Sequence, residues 1–63
     1  MTRKDFILIA EALRRVRQNA LDQSNLGRAE GVLLAAYELA DELTKTNDRF
    51  NRARFLDAVR GVA

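Results

Sequence analysis

DQSNLG, residues 22–27, lies between two long segments of helical apolar spacing and bends what would be one rod into a hairpin. Ser24 and Asn25 are both residue types whose side-chain oxygens cap helix N-termini, so the break predicts a short loop with a new helix starting just after it. Upstream, Phe6, Ile9, Leu13, Val16 and Ala20 recur at intervals of 3, 4, 3 and 4, which places them on one stripe of a helix. Thr2 with Asp5 three residues later reads as a short-armed capping box, and the acid suits the positive end of the helix dipole. A first helix is predicted over residues 3–21.

Downstream, Leu26, Ala29, Leu33, Ala36, Ala40 and Leu43 repeat the same rhythm, and Val32 and Leu39 widen the stripe. A second helix is predicted over residues 26–45, antiparallel to the first, each about 30 Å long at the α-helical rise. Gly27, Gly31 and Ala35 fall on the side away from that stripe. A mid-helix glycine costs on the order of 1 kcal/mol relative to alanine, so Gly31 is either a tolerated defect or part of a smooth track for a closely approaching partner, with Leu34 beside it. Ile7 and Leu8 lie off the first helix's stripe and call for a third helix or another chain to cover them.

The third element is read from NDRFNRARF, residues 47–55. With Asn51 as N-cap, Phe50 precedes the cap and Phe55 is the fourth helical residue, the two positions of a hydrophobic staple. Phe55, Leu56 and Val59 then form the inner face of a short helix over residues 52–60, stopped by Gly61. Arg52 projects on the same side as Phe55 and Val59 and is expected to pair with Glu38, Asp41 or Glu42 of the second helix. Arg49 and Arg54 are freer. The fold class is therefore all-α: residues 1–63 form one domain, a long helical hairpin with a short third helix.

Sixty-three residues are near the lower limit for a self-sufficient core. The chain has no Cys and no His, so disulfides and the usual zinc sites are excluded, and self-association is the remaining way to add buried surface. No apolar run approaches the roughly 20 residues of a membrane span, and Phe6–Ala10 is too short for a secretory core. A cytoplasmic, non-membrane protein is expected.

The formal charge of +2 is distributed plus, minus, plus. The first 20 residues carry Arg3, Lys4, Arg14, Arg15 and Arg17, the middle carries Asp22, Glu30, Glu38, Asp41 and Glu42, and the end carries Arg49, Arg52, Arg54 and Arg60. Such a pattern suits an acidic helix packed beside basic ones, and alternatively a face that binds anions. Nucleophilic triads and thiol chemistry have no members here. The acids Glu38, Asp41 and Glu42 lack the spacing of a calcium loop or a di-iron motif, and no glycine-rich phosphate loop precedes a helix. No enzymatic activity, cofactor or metal is expected.

Two short patterns carry a resemblance. Lys4-Asp5-Phe6 followed by Ile9-Ala10-Glu11-Ala12, with Asn47-Asp48-Arg49-Phe50-Asn51-Arg52-Ala53-Arg54-Phe55-Leu56-Asp57-Ala58 near the other end, resembles a group of small proteins encoded by tailed bacteriophages and prophages. The likeness extends loosely through the Ala/Leu-rich acidic middle. Asp48 stands where that group commonly has Pro, and Val59 where it commonly has a Cys-Gly ending. The resemblance implies a helical fold, a phage or prophage origin and hence the host cytoplasm, and implies no particular activity.

The leading expectation is a non-enzymatic accessory protein, assembling as a homo-oligomer, that docks on a host or phage protein through Arg49, Arg54, Ile7, Leu8 and Leu34, with Phe50, Phe55 and Arg52 as the structural staple. One alternative is a nucleic-acid binder whose Arg14, Arg15 and Arg17 join the C-terminal arginines on phosphates. Another is an oligomeric sponge for a small anionic nucleotide.

Overall fold

The computed structural model describes residues 2–61. Thr2 opens the first helix, α1 (Arg3–Asp22), through a complete capping box: its N–H donates to Asp5 Oδ2 at 3.0 Å and its Oγ1 accepts from the Asp5 N–H at 3.4 Å. The Thr2 N–H holds the Asp5 carboxyl below its ordinary value. This cap therefore contributes in full above that ordinary value, and its contribution is lost as the pH falls through the lowered one.

The break at residues 23–25 is a Schellman turn. The Ser24 N–H donates to Leu21 O at 2.9 Å, and the Asn25 N–H donates to Ala20 O at 2.8 Å. Ser24 takes the left-handed conformation, φ 58°, that glycine usually fills. Of the two expected caps only Asn25 acts as one; its Oδ1 accepts from the Arg28 N–H at 3.0 Å and starts α2 (Leu26–Thr46). Asn25 thus closes one helix and opens the next, which leaves the hairpin no slack.

A second turn follows α2. Asn47 O accepts from the Phe50 N–H, and Asn47 Oδ1 accepts from the Arg49 N–H, both at 3.0 Å. Asn51 then caps α3 (Arg52–Arg60) by accepting from the Arg54 N–H, and Gly61, φ 76°, ends it. Helix α3 lies in the groove of the hairpin and runs in the direction of α1, because Phe50 meets Phe6 at one end and Gly61 meets the Arg14 stem at the other. Among the described residues there are three helices and no strand.

The centre of the fold is made of small side chains. Ala10, Ala20, Ala29, Ala36 and Ala40 are buried, joined by Phe55, Leu56 and Val59 from α3. Alanine at a helix crossing lets two backbones approach closely, and the larger Phe6, Ile9, Leu13, Leu33 and Tyr37 pack around this seam half-buried.

Two members of the expected stripes are displaced. Val16 is 50% exposed and Leu26 is 70% exposed. Helix α3 sits on the Ala10–Arg14 side of α1, so the buried arc rotates away from Val16 and toward Arg17, which is half-buried with its Nε enclosed and unbonded. Leu26 stands in the first turn of α2, past the end of α3, where nothing described covers it. Leu39, expected to widen the stripe, is also left 37% exposed.

The seam has a direct test. Ala36 is fully buried, so Ala36→Leu forces the helices apart and should destabilise the fold by about 1–3 kcal/mol, the range for overpacked cores. Urea denaturation followed by circular dichroism measures it.

Candidate functional site

The turn at residues 47–50 brings the start of α3 against the start of α1, and three phenylalanines meet there. The Phe6 and Phe50 ring centroids are 5.0 Å apart in an edge-to-face arrangement, and Phe50 and Phe55 are 5.4 Å apart. Phe50 and Phe55 occupy the two staple positions around the Asn51 cap. Phe6 is the third ring. It ties the staple to α1, a contact that the sequence reading did not anticipate.

Beside the rings opens a cleft of about 430 Å³. Its apolar walls are Phe6, Ile7, Ala10, Phe50, Phe55 and Ala58, and its polar lining is Arg3, Arg49, Arg54, Asn47 and Asn51. No lining residue is acidic. None of the three arginines forms an ion pair with another described residue. The acceptor oxygens of Asn47 and Asn51 are taken by the N–H groups of Arg49 and Arg54, which leaves their amide NH₂ groups as donors. No acid occupies the first turn of α3 to offset its dipole. The cleft therefore offers donors and positive charge above an aromatic floor, and its size falls within the range of ordinary ligand sites.

Arg52, in the same turn of sequence, is directed elsewhere. Its Nε donates to Asp41 Oδ1 at 2.9 Å and its guanidinium lies 5.9 Å from the Tyr37 ring centre. Of the acids expected to pair with it, Asp41 is the one that does. The pair is about half exposed on both sides, so it pins α3 to α2 more through geometry than through energy.

The residues expected to bind a partner divide between surfaces. Arg49, Arg54 and Ile7 line the cleft. Leu8 and Leu34 are both exposed but lie elsewhere, Leu8 on the flank of α1 away from α3 and Leu34 on the outer side of α2. Arg14 lies along the end of α3, Arg15 is exposed on the opposite flank of α1, and Arg17 is half-buried. These three do not form one phosphate-binding row. Arg3 was not expected at the site. Its place there depends on α3 running with α1, which no local sequence signal announces.

Among the described residues there is no cluster of His, Cys, Asp and Glu that could hold a metal ion, and no helix is long and apolar enough to cross a membrane. Removing Phe50 tests the ring cluster. Phe50→Ala should cost about 2–4 kcal/mol, toward the range of aromatic truncations in cores, and amide hydrogen exchange should show α3 opening before the hairpin. Arg52→Ala should cost about 1 kcal/mol, which lowers Tm by about 4–8 °C in a domain of this size. Arg49→Ala with Arg54→Ala should stay within about 0.5 kcal/mol of wild type. Compared with known proteins, the chain matches no family model, no curated protein and no solved structure.

Proposed function

We propose that the protein is a non-enzymatic interaction module whose corner cleft captures a segment of another protein that carries a bulky apolar side chain next to a carboxylate. The observation that supports this reading is the lining of the cleft: Arg3, Arg49 and Arg54 stand over Phe6, Phe50 and Phe55 with no acid among them. An apolar side chain entering the cleft covers the exposed ring edges, and a neighbouring Asp or Glu of the partner meets a guanidinium in charge-assisted hydrogen bonds. The chemistry needs no proton transfer or nucleophile.

The charge arrangement favours a protein over a nucleic acid. A strand of phosphates is tracked by a row of cations along a groove, whereas here Arg3, Arg49 and Arg54 gather at one corner, Lys4, Arg15 and Arg28 lie apart from it, and α2 presents Glu38, Asp41 and Glu42 along its exposed side. With the phage or prophage origin that the sequence resemblance implies, the molecule would dock as an accessory protein on a host or phage protein in the cytoplasm.

Selection from a random peptide library against the protein tests the proposal. Enriched peptides should pair Asp or Glu with Leu, Phe or Trp, and Arg49→Ala with Arg54→Ala should weaken them about tenfold or more, the loss of at least one charge-assisted hydrogen bond. The loss should be greater at low ionic strength. Enriched peptides that bind the double variant unchanged would overturn the reading. So would ATP or single-stranded oligonucleotides that bind wild type more tightly than any selected peptide and lose that binding in the double variant.

A further inference from the structure

We propose that the corner cleft holds the free C-terminus of its partner, with the last side chain over the aromatic floor and the terminal carboxylate among the arginines. This rests on the reading of the cleft as a protein-binding site and names the part of the partner that enters it.

The cleft has two unlike ends. Because α3 runs with α1, the residues that open the two helices share one end of it, and later residues share the other. At the outer end stand Arg3, Arg49, Arg54 and the two asparagines, Asn47 and Asn51. At the inner end stand Ile7, Ala10 and Ala58, whose side chains form no hydrogen bonds, and the three rings lie between. From Arg3 to Ala10 the wall climbs two turns of α1, about 10 Å at the α-helical rise. A ligand that fits is therefore charged at one end and apolar at the other.

The side chains of the outer end offer donors, and their acceptors are already engaged. Asn47 Oδ1 and Asn51 Oδ1 accept the N–H groups of Arg49 and Arg54, each at 3.0 Å, and the lining holds no acid. The main-chain oxygens of the same two asparagines accept from the Phe50 and Phe55 N–H groups. A chain that ran on through the cleft would bring N–H donors and C=O acceptors in equal number, and a covered N–H with no acceptor costs the desolvation of that group. A terminal carboxylate brings two charged oxygens, with about four lone-pair sites, and no donor. Its shape also matches the guanidinium fork, which holds both oxygens at once.

The last residue of a chain also carries both groups on one Cα. Its carboxylate reaches the outer end, its side chain reaches the inner end, and the preceding backbone leads away through the mouth. In an extended internal segment, adjacent side chains point to opposite faces. An Asp or Glu that shares the cleft with an apolar side chain then stands two residues from it, and the backbone between them lies across a mouth lined with donors. Internal acidic segments thus use the same arginines and bind more weakly than a chain end. The inner end, where Ala10 and Phe55 are buried, selects Leu, Ile or Phe as the last residue over a polar one, which would lose its water there without gaining a partner.

The test selects random peptides displayed with a free C-terminus, then synthesises the enriched sequences both as acids and as C-terminal amides. The acids should end in Leu, Ile or Phe. Each amide, and each acid lengthened by Gly-Ser, should bind at least about tenfold more weakly, as expected for a lost charge-assisted hydrogen bond. Arg49→Ala with Arg54→Ala should bring the acids down to the level of the amides and leave the amides within about twofold, the mark of a direct coupling between carboxylate and arginines. Amides that bind as tightly as the acids, with both weakened by the double variant, would overturn the chain-end proposal and leave the cleft to internal acidic segments. Enriched peptides that bind the double variant unchanged, or a selection that enriches none, would overturn both this proposal and the reading it rests on.

Discussion

Close approach of helices through alanine is the constraint on which the rest of this structure depends. Ala10, Ala20, Ala29, Ala36 and Ala40 are all buried, so the inner faces of α1 and α2 carry little more than methyl groups, and the larger Ile9, Leu13 and Leu33 stand half-buried around them. Bulk moves outward to both margins. On one margin α3 supplies Phe55, Leu56 and Val59 as cover. On the other margin nothing described covers Leu8, Val16 and Leu39. The asymmetry of the molecule, one roofed groove and one bare face, follows from that seam and from having only nine residues in α3.

The cleft is a by-product of the same economy. A short helix cannot be held by length, so it is held at its ends: the Phe50–Phe55 staple and Asn51 cap at one, Gly61 against Arg14 at the other, and the Arg52–Asp41 pair at the side. Those devices consume the acceptors near the corner. The side-chain oxygens of Asn47 and Asn51 serve backbone N–H groups, and Asp41 is turned to Arg52. What remains around the rings is donors and unpaired guanidinium groups. The corner's excess of donors and positive charge thus comes from how its acceptors are spent as much as from how many arginines it has.

Most of the fold was legible in the residues because its signals are local. Caps at Thr2, Asn25 and Asn51, the lapse at DQSNLG, the staple spacing and the stop at Gly61 each act within a few residues, and the observed helices end within a residue or so of where those signals put them. The choice between Ser24 and Asn25 was not legible, since both are good caps and only the left-handed turn separates them. Val16 and Leu26 were misplaced for a different reason. A helical stripe gives the direction of burial to within about one residue, and the side on which α3 docks rotates it. The cleft was half legible: Arg49 and Arg54 stood out as a local cluster, but Arg3 and Phe6 join them only through the direction in which α3 runs.

Capping by asparagine has a consequence for chemical ageing. Hydrolysis of a side-chain amide to a carboxylate is a common slow lesion of proteins, and in a core it is damaging. At Asn25 and Asn51 the new carboxylate keeps the oxygen that accepts the capping hydrogen bond, and neither α2 nor α3 has an acid in its first turn to repel it. The fold should carry the lesion without loss at both places. Asn51, however, also lines the cleft with Arg49 and Arg54. A negative charge there would draw on those guanidinium groups from within. The aged molecule would keep its shape, its helices and its melting point, and present a corner whose positive charge is partly cancelled from within.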